Sequence, residues 1–302
     1  MSDPRLTEQS NPRSRHLDTL APREIVDLIQ AEDHDVAPAV AREAESIARA
    51  VRFVEAALRA GGRLVYVGAG TSGRLGVLDA AEMPPTYGTD PDRIVGVIAG
   101  GHAALVRSQE GAEDFPADGA AEMDTLEVGP NDFVLGIASS GTTPYVHGAL
   151  DRARHRGAHT GLLLCTPPTP DLRAIHDVVI APLVGPEVVT GSTRMKAGTA
   201  TKLVLNTITT AAMVRLGKVH GNLMVDLQVT CQKLQDRAER MLTQILDVDP
   251  PVAGALLDKA GGEVKTALVM HRAGVGAAVA RQRLHDADGV VGRVVSLPGA
   301  VQ

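Results

Sequence analysis

Three strings rich in glycine and hydroxyl side chains stand out as places where this 302-residue chain could hold a ligand. They are Gly68-Ala69-Gly70-Thr71-Ser72-Gly73, Ala138-Ser139-Ser140-Gly141-Thr142-Thr143-Pro144 and Thr190-Gly191-Ser192-Thr193-Arg194-Met195-Lys196-Ala197-Gly198. Glycine lets the main chain approach a ligand closely. Hydroxyls at the start of a helix add donors to the free N–H groups of its first turn, a combination suited to phosphate. A single Ser/Thr cluster before a helix is just as well explained as an N-cap. Three in one chain favour an anionic, polyhydroxylated ligand.

The first string also fits the G-x-G-x-x-G pattern of dinucleotide sites. The next apolar segment, Ile94–Ile98, runs into Ala99-Gly100-Gly101, without the acidic residue that would take a ribose hydroxyl. A nicotinamide cofactor is therefore not expected. Arg194 and Lys196 in the third string could pair with anionic groups of a ligand or form an ion pair with Glu187; the sequence leaves both open. Cys165 and Cys231 make neither a disulfide framework nor a zinc spacing and read as small buried hydrophobes. No metal site is expected.

These loops need a scaffold. Leu64–Val67, Ile94–Ile98, Phe133–Ile137, Gly161–Cys165 and Val178–Ala181 are short, apolar and bounded by Gly, Pro or Asp, with room for helices between them at Ser72–Ala81 and Tyr145–Arg156. Buried strands alternating with helices predict a doubly wound parallel α/β sheet of five strands, with ligands bound beyond the carboxyl ends of the strands. Upstream, an apolar stripe from Val36 to Leu58 predicts one continuous helix ended by Gly61-Gly62. Residues 1–20, rich in Pro, Asn and charge, read as a solvated tail. Downstream, helices are expected at about Ala197–Leu216 and Leu227–Ile245, then three short ones broken at Gly261-Gly262 and Gly274.

Composition narrows the function classes. A length of about two domains, 44% hydrophobic and 22% charged residues describe a globular chain. A net charge of −6 argues against nucleic acid held on a basic surface, and three Phe, three Tyr and no Trp argue against stacking platforms. The polar N-terminal segment carries no apolar signal core, and no apolar run approaches ~18 residues, so a cytoplasmic protein with no membrane partner is expected.

Longer strings carry a resemblance. Thr7-Glu8 with Asn11-Pro12, Gly68–Gly88, Glu110–Asp114, Ala138–Tyr145, Gly185–Thr199 and Gly217–Asp226 together resemble the N-acetylmuramic acid 6-phosphate etherases of the sugar-isomerase (SIS) superfamily. The departures are small: Thr142 stands where the family usually has Arg, His220 where Tyr is common, and Ala81 and Met83 where Ser and Cys are frequent.

The resemblance implies a substrate that is a 2-acetamido sugar 6-phosphate with D-lactate in ether linkage at C3. A base removes the C2 proton, an acid protonates the departing ether oxygen, and water adds at C3, giving N-acetylglucosamine 6-phosphate and D-lactate without metal or organic cofactor. It implies Glu82 and Glu113 as catalytic, Ser139, Ser140 and Thr143 as phosphate-binding, and Ser72, Ser192 and Thr193 as further substrate contacts. Because Met83-Pro84-Pro85 follows Glu82, that residue is expected to end its helix, where the dipole would raise a carboxyl pKa and suit an acid. Composition alone cannot choose among Glu110, Glu113 and Asp114.

The resemblance also implies an N-terminal segment over 1–48, a SIS domain over 49–217 and C-terminal helices over 218–302 ending in a small ubiquitin-associated-like bundle. It implies a homodimer in which the N-terminal arm reaches the partner's site. Two rivals remain: an aldose–ketose sugar-phosphate isomerase on the same sheet, and a non-catalytic sugar-phosphate sensor. Asn222 and Asp226 lie in a matching string with no role the sequence assigns.

Overall fold

The computed structural model describes residues 5–226 and 232–295. Its contacts divide the chain into two units, one running to Ala81 and resuming over Pro91–Thr209, the other made of Glu82–Asp90 and the residues from Thr210 onward.

In the first unit, residues 5–20 are not a solvated tail. They form three short 3₁₀ turns at Leu6–Glu8, Pro12–Ser14 and Leu17–Thr19. Thr7 and Asn11 are buried, and the Leu6 N–H donates to the Thr166 hydroxyl at 3.0 Å. The segment docks on its own chain through hydrogen bonds, which an apolar pattern does not register.

Helices α1 (Pro22–Asp33), α2 (Val36–Ala41) and α3 (Ala44–Arg59) follow. The stripe expected as one helix is thus two. At Glu43 the ladder tightens, its N–H bonding three residues back to the Val40 carbonyl at 2.9 Å, and its own carbonyl starts the next helix. The apolar face survives the break, with Val36, Val40, Ile47, Val51 and Val54 all buried.

The sheet and its connections run in chain order β1 (Leu64–Gly68), α4 (Gly70–Tyr87), β2 (Ile94–Ile98), α5 (Ala103–Val106), α6 (Pro116–Thr125) and β3 (Phe133–Ile137). Then come α7 (Pro144–His155), β4 (His159–Leu163), α8 (Pro170–Ile175) and β5 (Val178–Ile180). All five strands are parallel, in the order β2-β1-β3-β4-β5. Every residue of β1 and β3 is buried, as strands covered on both faces must be. β4 begins two residues earlier than expected: His159 and Thr160 pair with Phe133 and Val134, because the ladder satisfies backbone groups whatever the side chains. Below the sheet, α6 and α7 touch backbone to backbone. A methyl on Gly119 would lie 2.0 Å from the Tyr145 carbonyl oxygen, and one on Gly148 2.0 Å from that of Pro116.

Helix α9 (Lys196–Arg215) starts in the first unit and ends in the second. The second unit adds a two-stranded hairpin, β6 (Val219–His220) and β7 (Leu223–Met224), and helices α10 (Gln232–Leu246), α11 (Pro250–Lys259), α12 (Val264–Ala273), α13 (Ala277–Asp286) and α14 (Val291–Val294). Residues 227–231, where a helix start was expected and which include Cys231, lie outside the described residues. Breaks fall at Gly261-Gly262 and at Gly274, the left-handed cap of α12, and one further turn, α14, closes the bundle. Ala238, Leu242, Leu257, Leu268 and Leu284 are its core.

Candidate functional site

The strand order reverses between β1 and β3, and in open α/β sheets the crevice beyond the carboxyl ends at such a point is where ligands bind. A cavity of about 530 Å³ lies there, within the size range of small-molecule sites. The loop after β1 contributes Thr71 and Ser72, the loop after β3 contributes Ser139, Ser140, Thr142 and Thr143, and the loop before α9 contributes Gly191 and Thr193. All three strings singled out in the sequence therefore meet in one cavity. Ser192 is not among its lining residues.

Glycine shapes the first two loops. Gly70 takes a left-handed φ of 53° as α4 opens. A methyl on Gly73 would lie 2.6 Å from Ile98 Cγ1 and 2.8 Å from the Gly68 carbonyl oxygen, so the first turn of α4 sits flush on the strand ends. In the β3 loop, Gly141 turns the chain at φ 76°, and its carbonyl is 2.8 Å from His147 Nε2 one turn into α7. Thr143 occupies the N-cap position of α7, yet its hydroxyl makes no capping bond. Capping does not account for that side chain. The Ser140 and Thr142 hydroxyls lie 3.0 Å apart, so Thr142 helps to orient Ser140.

Carboxylates enter the cavity from two sides. Glu113 and Asp114 sit on a single 3₁₀ turn, Ala112–Asp114, that follows the left-handed Gly111. Of the three acids in that stretch, Glu110 is the one turned elsewhere: it accepts from the Ser108 hydroxyl at 2.7 Å. Glu113 also borders a smaller adjoining cavity of about 110 Å³, closed by Arg74 and Ala104. From the N-terminal arm come Arg5 and Glu8, neither expected as site residues. The only signal for them was the Thr7-Glu8 string, because the arm has no periodicity to place it in the fold.

The third loop is fixed by buried charge. Glu187, fully buried, accepts from the Lys196 N–H at 3.0 Å and the Ala197 N–H at 2.9 Å, capping α9. Burial pushes its carboxyl above the usual range, against the pull of those two N–H groups and of Lys196. The Lys196 ammonium instead pairs with Glu32, at 2.5 Å. The ion pair is therefore with α1 and not with Glu187, and Lys196, nearly fully buried, secures the loop. Arg194 is exposed. Cys165 is buried beside the start of α9, and burial together with the Glu187 charge pushes its thiol up to about 12, so it is inert at neutral pH.

Glu82 belongs to the second unit, where it is exposed on α4. It does not end its helix. α4 continues through Pro84 and Pro85 to Tyr87 and is capped by the left-handed Gly88, whose N–H bonds to the Pro84 carbonyl at 2.9 Å. The two prolines donate nothing, so the Ala80 and Ala81 carbonyls lose their helical partners just before Glu82. The dipole argument for an acid at a helix end thus does not apply to it.

Further along the second unit, Asp226 lies between Lys218, at 2.5 Å, and Lys265, at 3.0 Å, tying the Gly217–Asp226 string to α12. Asn222 is exposed. Among the described residues, no group of three or more His, Cys, Asp or Glu is placed to hold a metal ion, and no helix is long and apolar enough to cross a membrane.

Comparison with known proteins extends the resemblance. Residues 46–154 match the family model of the glucokinase regulatory protein N-terminal SIS domain. The N-acetylmuramic acid 6-phosphate etherase of Salinibacter ruber is 55% identical over 94% of this chain and 92% of its own length. That of Rhodopirellula baltica is 51% identical over 97% and 96%, and that of Gloeobacter violaceus 56% identical over 88% and 87%. The family model covers residues 46–154, whereas the likeness to these relatives extends over 88–97% of the chain. With more than half of the residues shared across nearly its full length, the chain belongs to the N-acetylmuramic acid 6-phosphate etherase family.

Proposed function

We infer that this protein cleaves the C3 lactyl ether of N-acetylmuramic acid 6-phosphate, giving N-acetylglucosamine 6-phosphate and D-lactate. The observation that carries the reading is the convergence of three hydroxyl-bearing loops and the Glu113 carboxylate on one cavity at the switch point of the sheet. The uncapped hydroxyl of Thr143, with Ser140 and Ser139, supports phosphate binding at the start of α7. In the open-chain sugar, C2–H is α to the aldehyde and the ether oxygen is β, so loss of the proton and departure of lactate are an elimination, and addition of water at C3 completes the exchange.

Glu113 is assigned as the base that takes the C2 proton, and Glu82 as the acid that protonates the ether oxygen. Glu113 rests on its place in the cavity and on the family pattern, Glu82 on the family pattern alone. Ser72 and Thr193 are assigned to the sugar; Ser192 is retained as a contact by resemblance. Along the chain, we assign substrate binding to 49–217, an arm to 1–48 and helices to 218–302. A cytoplasmic homodimer completes the reading, on the same resemblance.

The deciding experiment is an assay of lactate release from N-acetylmuramic acid 6-phosphate by the purified chain. Release supports the reading. Tight binding of the sugar phosphate without release would overturn it in favour of a sensor, and interconversion of aldose and ketose phosphates would overturn it in favour of an isomerase. Sedimentation of the same preparation tests the dimer.

A further inference from the structure

We propose that Glu8 is a substrate-binding residue whose carboxylate accepts hydrogen bonds from the uncharged hydroxyl or acetamido N–H groups of the amino sugar, an assignment that rests on the sugar-phosphate reading above. Glu8 is exposed, but its neighbours are not free to move. The Leu6 N–H is held by the Thr166 hydroxyl, Thr7 is 1% exposed, and Asn11 is 4% exposed with its amide donating to Glu32 and to the Pro186 carbonyl. A surface glutamate on a solvated tail needs no such anchoring on both sides. Here the anchors present one carboxylate to the cavity.

The direction of that carboxylate adds a second argument. The Thr7 hydroxyl donates to Oε1 at 3.2 Å, while Oε2 lies 3.8 Å from the position a side chain on Gly191 would take, on the loop that also supplies Thr193. Charge then decides what Glu8 can bind. A carboxylate repels both the phosphate and the lactyl carboxylate, so it must face the neutral part of the ligand. Hydroxyl and amide N–H donors to a carboxylate make charge-assisted bonds, about twice as strong as neutral ones. Glu8 thereby recognises a feature that inorganic phosphate lacks.

The test compares two probes on the full chain: N-acetylglucosamine 6-phosphate and inorganic phosphate, titrated into wild type, Glu8→Ala and Glu8→Gln. Loss of one charge-assisted bond predicts that Glu8→Ala weakens the sugar phosphate about ten- to a hundredfold and leaves inorganic phosphate unchanged or slightly tighter. Glu8→Gln, whose amide oxygen still accepts, falls between. Equal weakening of both probes means that the residue only shapes the arm and overturns the proposal, as does no change in either. If Glu8→Ala has a lowered unfolding midpoint, Glu8→Gln carries the comparison. Lactate release by wild type is scored separately. A wild type that binds the sugar phosphate but releases no lactate sinks the etherase reading and leaves Glu8 to be judged on the two probes. A wild type that binds neither probe overturns both.

Discussion

Asn11 and Glu32, 21 positions apart, meet through a 2.9 Å hydrogen bond from the amide to the Glu32 carboxylate, which is the same group that holds the Lys196 ammonium at the start of α9. One buried carboxylate thus links the arm that carries Glu8 to the loop that carries Gly191 and Thr193. Replacing Asn11 with Ala removes one donor to a buried charge, at a cost of about 1–3 kcal/mol. The expected result is a lowered unfolding midpoint, faster proteolytic cleavage within residues 5–20, and weaker binding of N-acetylglucosamine 6-phosphate. Unchanged proteolysis would show that the arm is held elsewhere. Burial alone would raise the Glu32 pKa, but Lys196, Asn11 and Arg13 outweigh it and hold the group below its ordinary value. A depressed carboxylate stabilises the fold above its unfolded pKa of about 4.5 and loses that contribution as pH falls through the folded value. The clamp is therefore complete at neutral pH and opens only in stronger acid.

Ser140→Ala removes a cavity-lining hydroxyl that lies 3.0 Å from that of Thr142. The phosphorylated sugar is expected to lose about 1.5–3 kcal/mol of binding, the price of one bond to a charged group, while the unphosphorylated sugar loses little. Competition binding with the two sugars measures the difference, and equal losses would remove Ser140 from the phosphate site.

If Glu113 is the base, Glu113→Gln is expected to abolish exchange of the C2 hydrogen with deuterated water, because an amide cannot take the proton. If Glu82 is the acid, Glu82→Gln is expected to slow lactate departure by ~10²–10⁴-fold, the usual size of general-acid help, and to spare exchange. In 18-O-labelled water the sugar product carries label at C3, and lactate keeps the ether oxygen. Mass spectrometry of both products reads all three outcomes. Loss of exchange in Glu82→Gln with retention in Glu113→Gln would reverse the two roles.

His176 offers a pH-dependent test of the scaffold. Its Nδ1 lies 3.1 Å from the Thr160 hydroxyl, its Nε2 is buried without a partner, and burial, with smaller contributions from His147 and Arg154, lowers its pKa to about 4. The unfolded chain takes up a proton near pH 6.5, while the folded chain does so only near 4. Stability is thus fully present above pH 6.5 and declines between 6.5 and 4, by about 3 kcal/mol in total. Denaturant unfolding across that window gives the slope. His176→Gln is expected to flatten it, and an unchanged slope would place the titrating group elsewhere.

The parts of this protein legible in its sequence are those that hydrophobic pattern and glycine encode. β1 and β3 are unbroken apolar runs because both faces of a parallel sheet are covered, and the loops after them announce themselves through Gly70 and Gly141 beside their hydroxyls. The arm was illegible, since Thr7 and Asn11 are buried by hydrogen bonding and not by apolar character. The end of α4 was misplaced for a different reason. Consecutive prolines ordinarily stop a helix, but the turn they disrupt is recovered by the Gly88 N–H four residues after Pro84. Lys196 was legible as a cation and illegible as a partner, because its counter-ion Glu32 lies 164 residues away.

The bonds that hold the arm also impose an order of assembly. Leu6 waits for Thr166, 160 residues on, Asn11 for Pro186, 175 residues on, and Glu32 for Lys196. During synthesis at roughly 5–20 residues per second, the arm emerges from the ribosome on the order of ten seconds or more before its partners exist. The β1–β3 crevice can form in that interval, but the wall that bears Glu8 cannot close until the start of α9 has been made. The cavity is therefore completed late, when the start of α9 meets an arm made long before it.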